Sequence, residues 1–314
     1  MSFIIENGVL TNYTGDESVT SVIIPNGVKK VGRHVFYDCK NLKSIFIPQS
    51  VEEFEGDFFG CYELKEILVD ENNPYLTSEE GILYDKNKTV LIRYPSNRNS
   101  EKFVIPDSVK EIDDGAFSDC CNLTEIIIPD SVEYIGYSAF YNCCSLTEIQ
   151  LPSHIRTISD DTFMACYKLE EISIPDGVKC IYSHAFERCD SLKKIILGKD
   201  VEYLDSLSFS APNLEEIIVD SLNEFYSSQD GILYDKEKTI LFFCPYGKKG
   251  KVVIPDTVTQ IGACGFDGFC DCSNLTYIHV PTSVTHIASY AFDDCTGLTS
   301  NPIPDGVVIF GTEW

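Results

Sequence analysis

The chain has 314 residues and carries 24 Lys plus Arg against 49 Asp plus Glu, a formal net charge of −25. A field of that sign repels phosphodiester backbones and anionic lipid, so nucleic acid is excluded as a partner. With 44% hydrophobic residues, 17 Tyr and 19 Phe it has the material for a packed core, which excludes a disordered acidic chain.

The opening Met1-Ser2-Phe3-Ile4-Ile5-Glu6 has no basic leader, and its apolar run ends at Glu6. A cytoplasmic location is therefore expected of the sequence as written; the alternative is the cell surface or secretion, with an export signal lying outside this sequence. Apolar runs such as Ile126-Ile127-Ile128 end at Pro or a charge. They fall far short of the about 20 residues a spanning helix needs, so no membrane insertion is expected.

Asn7-Gly8-Val9-Leu10 predicts a hairpin over residues 1–19 that caps the exposed edge of the first coil. From residue 20 the chain repeats. Pro25, Pro48, Pro106, Pro129, Pro152, Pro175, Pro255, Pro281 and Pro304 each end a short β-branched run, and most neighbours are 23 residues apart. Complete units fall at 20–42, 124–146, 147–169, 170–192 and 276–298, shortened ones at 43–64 and 193–214, and an unfinished one starts at Thr299.

In the unit from Thr124, alternation sends Ile126 and Ile128 inward and Glu125 and Ile127 outward, and Pro129 stops the ladder because it has no N–H to donate. Val132 and Ile135 turn back inside, Ala139-Phe140 plugs the far side, and Cys143 and Leu146 close the turn. One unit cannot bury these side chains alone, so successive units must stack.

Two longer units, 65–123 and 215–275, carry insertions near 70–100 and 220–250. The insertions are related: Gly81-Ile82-Leu83-Tyr84-Asp85-Lys86 recurs 150 residues later as Gly231-Ile232-Leu233-Tyr234-Asp235-Lys236. Each reads as a β-hairpin, in the first case with strands near Ile82–Tyr84 and Val90–Tyr94 joined by a polar turn. The last coil ends at Phe310-Gly311-Thr312-Glu313-Trp314, where Trp314 is a candidate cap.

The I-P-x-x-V-x-x-I-x-x-x-A-F-x-x-C-x-x-L pattern, seen in Ile128 through Leu146, resembles the BspA-like, or treponemal-type, leucine-rich repeats over roughly residues 20 to 310. The resemblance implies a right-handed superhelix used for protein recognition or cell-surface adhesion. The expected fold class is thus a β-rich α/β solenoid of about ten 23-residue coils with two β-hairpin insertions, forming a single domain over 1–314.

Of 14 cysteines, Cys39, Cys61, Cys120, Cys143, Cys166, Cys189, Cys272 and Cys295 share one slot, which reads as a row of small buried hydrophobes. Pro212 stands in that slot in one coil when it is counted forward from Phe209. Cys121 and Cys144 sit 23 apart, so stacking permits a disulfide and a reducing compartment would prevent it. Cys264, Cys270, Cys272 and His279 match no standard zinc spacing, and no metal is expected. His34, His154, His184 and His286 read as exposed turn residues.

No H-E-x-x-H, G-x-S-x-G, phosphate loop or dinucleotide turn occurs, and the pairs Asp113-Asp114, Asp160-Asp161 and Asp293-Asp294 read as solvated turns. The expectation is therefore no catalysis and no cofactor. An enzyme would need a polar cleft with perturbed carboxylates where an insertion meets the coils.

The outward strand column is Ile23, Phe46, Leu68, Val104, Ile127, Gln150, Ser173, Ile196, Ile218, Val253 and His279, and eight of the eleven are apolar. Beside it run Glu66, Glu125, Glu148, Glu171 and Glu216, broken by Lys102, Lys194 and Lys251. An apolar stripe with a carboxylate rim suits a protein partner with hydrophobic anchors and basic edges. The competing reading is that β propensity alone chose these residues. The expected function is a non-catalytic protein–protein interaction scaffold, with a surface adhesin as the alternative and an enzyme of unknown type as a third.

Overall fold

The runs that end at Pro25, Pro48, Pro106, Pro129, Pro152, Pro175, Pro255 and Pro281 form strands of three to five residues that pair in parallel with a counterpart one repeat away, whereas the run before Pro304 forms none. In the computed structural model, which describes residues 2–15 and 18–311, Lys102–Val104, Glu125–Ile127 and Glu148–Gln150 align residue for residue. Ser21–Ile23, Ser44–Ile47 and Glu66–Val69 do the same. Trp314, the suggested cap, lies outside the described residues.

The chain divides into two compact units, Met1–Pro152 with Asp161–Cys166, and Ser153–Asp160 with Tyr167–Trp314. In the second, Glu171–Ser173, Lys194–Leu197 and Glu216–Val219 form one parallel sheet and Gly250–Val253 pairs with Leu275–His279.

A second column of short strands follows the first in every coil. Lys30–Val31 and Glu53–Phe54 pair in the first unit, as do Thr157–Ile158, Cys180–Ile181 and Tyr203–Leu204 in the second. The N-terminal hairpin, Ser2–Glu6 against Val9–Thr14, joins this column, because Val9 and Leu10 pair in parallel with Lys30 and Val31. Each insertion is a three-stranded antiparallel meander; in the first, Leu76–Glu79, Ile82–Asp85 and Val90–Arg93 follow one another, and the last pairs in parallel with Glu111–Ile112. The cap and both insertions thus supply coils of their own, and the solenoid has about 13 turns, not ten.

The α component of the expected class is also corrected, since the described residues contain no helix. The reason lies in the turn after each Phe. The residue before the thiol slot adopts positive φ at Asp38, Gly60, Asp119, Asn142, Ala165, Arg188, Asp271 and Asp294. A left-handed residue ends any helical run, and Asp, Asn and Gly tolerate it best. These turns bond between coils instead, with Asp119 N donating to Tyr141 O at 2.9 Å and Asn142 N to Met164 O at 2.8 Å.

The interior of each unit is built from the residues that alternation points inward. Val22, Ile45 and Ile67 are buried in the first unit, Ile172, Ile195 and Ile217 in the second. The Phe plugs stack one coil upon the next: Phe117, Phe140 and Phe163 have centroids 5.4 and 5.3 Å apart, the offset spacing aromatic pairs prefer.

The thiol row is interior, with Cys39 alone half-buried. Thiols of this row reach back one coil: Cys143 Sγ donates to Phe117 O at 3.1 Å, Cys166 to Phe140 O at 3.2 Å and Cys295 to Phe269 O at 3.0 Å. Burial pushes these thiols up, Cys295 to about 12, so they keep the proton they donate. In the coil without a thiol the slot belongs to buried Ala211, whose carbonyl accepts from Leu214 N as the cysteines accept from their Leu. Pro212 is exposed one residue further on.

Candidate functional site

The outward column stands where alternation places it. Ile23, Leu68, Val104, Ile127 and Gln150 are exposed and Phe46 half-buried in the first unit; Ser173, Ile218, Val253 and His279 are exposed and Ile196 half-buried in the second. Register pairs Ile23 with Phe46 and Phe46 with Leu68, then Val104 with Ile127 and Ile127 with Gln150. Ser173, Ile196 and Ile218 form a third run, and Val253 with His279 a fourth.

Two of the breaks, after Leu68 and after Ile218, are made by the insertions. Ile67 N donates to Gly81 O at 2.8 Å and Val69 N to Ser78 Oγ at 3.0 Å, so the meander's first turn occupies the edge beside Leu68. Gly231 and Ser228 do the same beside Ile218. Glycine is required there: Gly81 has φ +81°, and a Cβ would lie 2.9 Å from Glu66 Cβ. Arg98 clasps the tip through Glu80 at 2.6 Å.

The carboxylate rim is partly neutralised by its own lysines. Lys102 pairs with Glu125 at 2.8 Å and Lys194 with Glu171 at 2.7 Å, across register partners of adjacent strands. Glu148 stands opposite Glu125.

A cleft of about 200 Å³ lies where the first insertion meets the coils, lined by residues of several turns that include Arg33, Glu55, Asp57, Phe59, Arg93, Asp113, Asp114 and Tyr137. Arg93, on the last meander strand, is buried; it donates to Gly115 O, to Ser118 Oγ at 2.8 Å and to Asp114 O at 3.4 Å, and lies 5.8 Å over the Phe58 ring. Asp57 is buried and pairs with His34 Nδ1 at 2.7 Å. Burial raises the carboxyl of Asp113 above the ordinary carboxylate range. Sequence reasoning noticed Asp113-Asp114 and passed over Asp57 and Arg93.

Cys264 is exposed, Cys270 half-buried, Cys272 buried and His279 exposed. Among the described residues no group of three or more His, Cys, Asp or Glu could hold a metal ion, and no helix is long and apolar enough to cross a membrane. Cys121 and Cys144 are disulfide-bonded with Cα atoms 4.8 Å apart, within the range such a bond requires.

The sequence matches the BspA type leucine rich repeat region in six copies, over residues 11–97, 91–215 and 242–313. The chain belongs to the BspA-type leucine-rich repeat family. Among solved structures this BspA-type chain is similar to a leucine rich cell surface protein from Faecalibacterium prausnitzii A2-165, at 29% identity and TM-score 0.57, over 65% of this chain and 60% of that one. It thus spans less than two thirds of that protein. The pneumococcal vaccine antigen PcpA shares the fold at 22% identity and TM-score 0.54, over 94% of this chain and 68% of its own. No curated protein sequence matches. BspA-type chains and these neighbours are repeat proteins, and the thiol row, Phe stack and Pro-ended strands are the family's repeat seen in three dimensions.

Proposed function

We propose that this chain is a non-catalytic scaffold that binds a protein partner through the exposed strand face of its solenoid. The observation that carries the reading is the outward column. Ile23, Val104 and Val253 are 67, 56 and 63% exposed, although nothing in strand packing needs an apolar side chain on that side. A solvated face gains from polar residues, and a partner's apolar anchors gain from these. The lysines and glutamates beside them add a polar rim that orients a partner rather than binding it tightly.

A second observation favours the cell surface or the extracellular medium as the place of action. The Cys121–Cys144 disulfide persists in oxidising compartments and is reduced in the cytosol. The similarity to a protein described as a cell surface protein points the same way.

The test compares the wild type with Ile127→Glu and Val104→Glu. A partner recovered by affinity purification from the native host is titrated against each protein, and folding is followed by thermal unfolding. The expected result is at least about a tenfold weaker affinity at unchanged melting temperature. Equal affinity for wild type and variants, or a fall in stability with no change in capture, sinks the strand-face reading.

A further inference from the structure

The turns that follow the Phe plugs bond in succession, Asp38 N to Phe59 O at 2.8 Å and Asp119 N to Tyr141 O at 2.9 Å. The succession is interrupted where the first insertion enters the stack. The meander between the coils of Phe58 and Phe117 runs through Tyr94-Pro95-Ser96 and lacks that turn. Gly60 N therefore passes over it and donates to the Asp119 carboxylate at 2.9 Å, 59 residues on. A cavity of about 170 Å³ lies at this gap, lined by residues that include Tyr37, Asp38, Phe59, Tyr62, Asp119 and Tyr141.

Aromatic rings are gathered at the gap and not spread along the repeat. The position after the Phe plug is aromatic at Tyr37, Phe59 and Tyr141, all three on the cavity, and holds Ser118, Met164, Glu187, Ser210, Cys270 and Asp293 in other coils. Folding a coil thus makes no demand for a ring there. Phe59 and Tyr141 stand on turns three coils apart, about 14 Å at about 4.8 Å per coil, yet their ring centroids are 5.5 Å apart, edge to face. The missing turn and the small, buried Ser118 let them lean together over the gap. Tyr37 and Tyr62 complete the wall and are 61 and 52% exposed. In the second inserted block the corresponding place is taken by the protein itself. Tyr246 stands where the first block has Ser96 and Pro212 where it has Tyr62; burial, with Asp271 beside it, pushes the Tyr246 phenol up to about 12.

The lining is acidic as well as aromatic. Among the described residues it holds the carboxylates of Asp38 and Asp119 and no basic side chain, so a cation is drawn in and an anion repelled. Asp119 is 4% exposed, and its two oxygens already accept from Gly60 N and, at 2.7 Å, from Asn142 Nδ2. It supplies charge more than acceptor sites, and its field holds the Tyr62 phenol above its ordinary value. Asp38, at the mouth, lies 3.5 Å from the Lys40 ammonium. A primary ammonium or a guanidinium brings N–H donors that would find few open acceptors here. A quaternary ammonium has none, and its charge is carried on methyl groups that pack against ring faces. The cavity has room for roughly five or six waters at about 30 Å³ each, the scale of a trimethylammonium head and the start of its tether.

We propose that the cavity bounded by Tyr37, Phe59, Tyr62 and Tyr141, with Asp119 at its base, is a binding site for a quaternary ammonium ion, a trimethylammonium compound of the choline type. The site is separate from the strand face, and it stands whether or not that face binds protein.

The test is titration of the full chain with choline and tetramethylammonium, read by saturation-transfer NMR and calorimetry. Two controls separate charge from shape: ethanolamine, with a primary ammonium on the same tether, and the neutral carbon isostere of choline, with a tert-butyl group in place of the trimethylammonium. The expected result is millimolar or tighter binding of choline and at least about tenfold weaker binding of both controls. Tyr37→Leu and Tyr62→Leu should each weaken choline binding about two- to fivefold, the worth of one exposed ring, and both variants should unfold at the wild-type temperature because the side chains they remove are exposed. Tyr290→Leu, at an exposed tyrosine of the second unit, should leave binding unchanged. Choline against phosphocholine distinguishes the free alcohol from a phosphate-linked headgroup as the preferred form, and either supports the site. Binding of neither choline nor tetramethylammonium, equal binding of ethanolamine or the carbon isostere, or full affinity in a variant carrying both Tyr37→Leu and Tyr62→Leu overturns it.

Discussion

The side chain of Asn73 holds the first insertion to the preceding coil, and its removal is the sharpest test of how the meander is anchored. Asn73 is fully buried. Its Nδ2 donates to Pro48 O at 3.0 Å and Val51 O at 2.8 Å, while its Oδ1 accepts from Tyr75 N and Leu76 N, both at 2.8 Å. Two of the bonds tie the side chain to the preceding coil and two hold the chain's own turn into the meander. At about 1 kcal/mol net for each bond, Asn73→Ala costs about 3 to 4 kcal/mol, allowing for some relaxation. Asn223 makes the same four bonds in the second unit, to Gly198 O, Val201 O, Phe225 N and Tyr226 N, so Asn223→Ala is an independent replicate. Urea titration reads the loss, and hydrogen exchange locates it, because a repeat array opens region by region. Exchange should accelerate over Leu76–Arg93 in one variant and over Tyr226–Phe243 in the other. A loss under about 1 kcal/mol at both sites, or acceleration spread evenly through the unit, refutes the anchoring.

Three further outcomes are expected. Cys121→Ser should cost about 3 kcal/mol under oxidising conditions, the chain-entropy value for a closed loop of about 23 residues, and nothing in the presence of a reductant; equal melts in both media would show that the bond does not form. Phe140→Ala, which removes the middle ring of the stack between Phe117 and Phe163, should cost about 3 to 5 kcal/mol by urea titration. Asp113 has a folded-state pKa raised by burial, so the native state holds its proton more tightly than the unfolded chain. Its contribution is complete below the ordinary carboxylate pKa and is lost as pH rises through the raised one. Asp113→Asn should flatten that fall in a melting-temperature profile across the acidic range, and an unchanged slope would contradict the shift.

The strand column was legible because two signals agree in every coil. Alternation set Ile126 and Ile128 against Ile127, and Pro129 fixed the strand's end, so burial and register followed. The second column escaped notice because strands of two residues, such as Tyr134–Ile135, are too short to alternate. The α component failed for a local reason: a residue such as Asp119 or Asn142 after the Phe admits either a helix or a left-handed turn, and hydrogen bonds to the next coil decide. Counting forward from Phe209 leads to Pro212, whereas counting back from Leu214 leads to Ala211; a deletion between them left the sequence ambiguous. The cleft was invisible because Asp57, Arg93 and Asp113 come from separate turns. A signal for it was nonetheless present, in the replacement of Arg93 by Phe243 between otherwise matched blocks.

The meander turn that ends the run from Ile23 to Leu68 also sets the valency of whatever binds to those three strands. An extended peptide crossing three strands at about 4.8 Å per step advances only about 10 Å, or roughly three residues at about 3.3 Å each. No single linear motif gains much affinity from so small a footprint. Tight capture would instead demand a ligand presenting several short motifs on a tether, so that each bound segment raises the local concentration of the next.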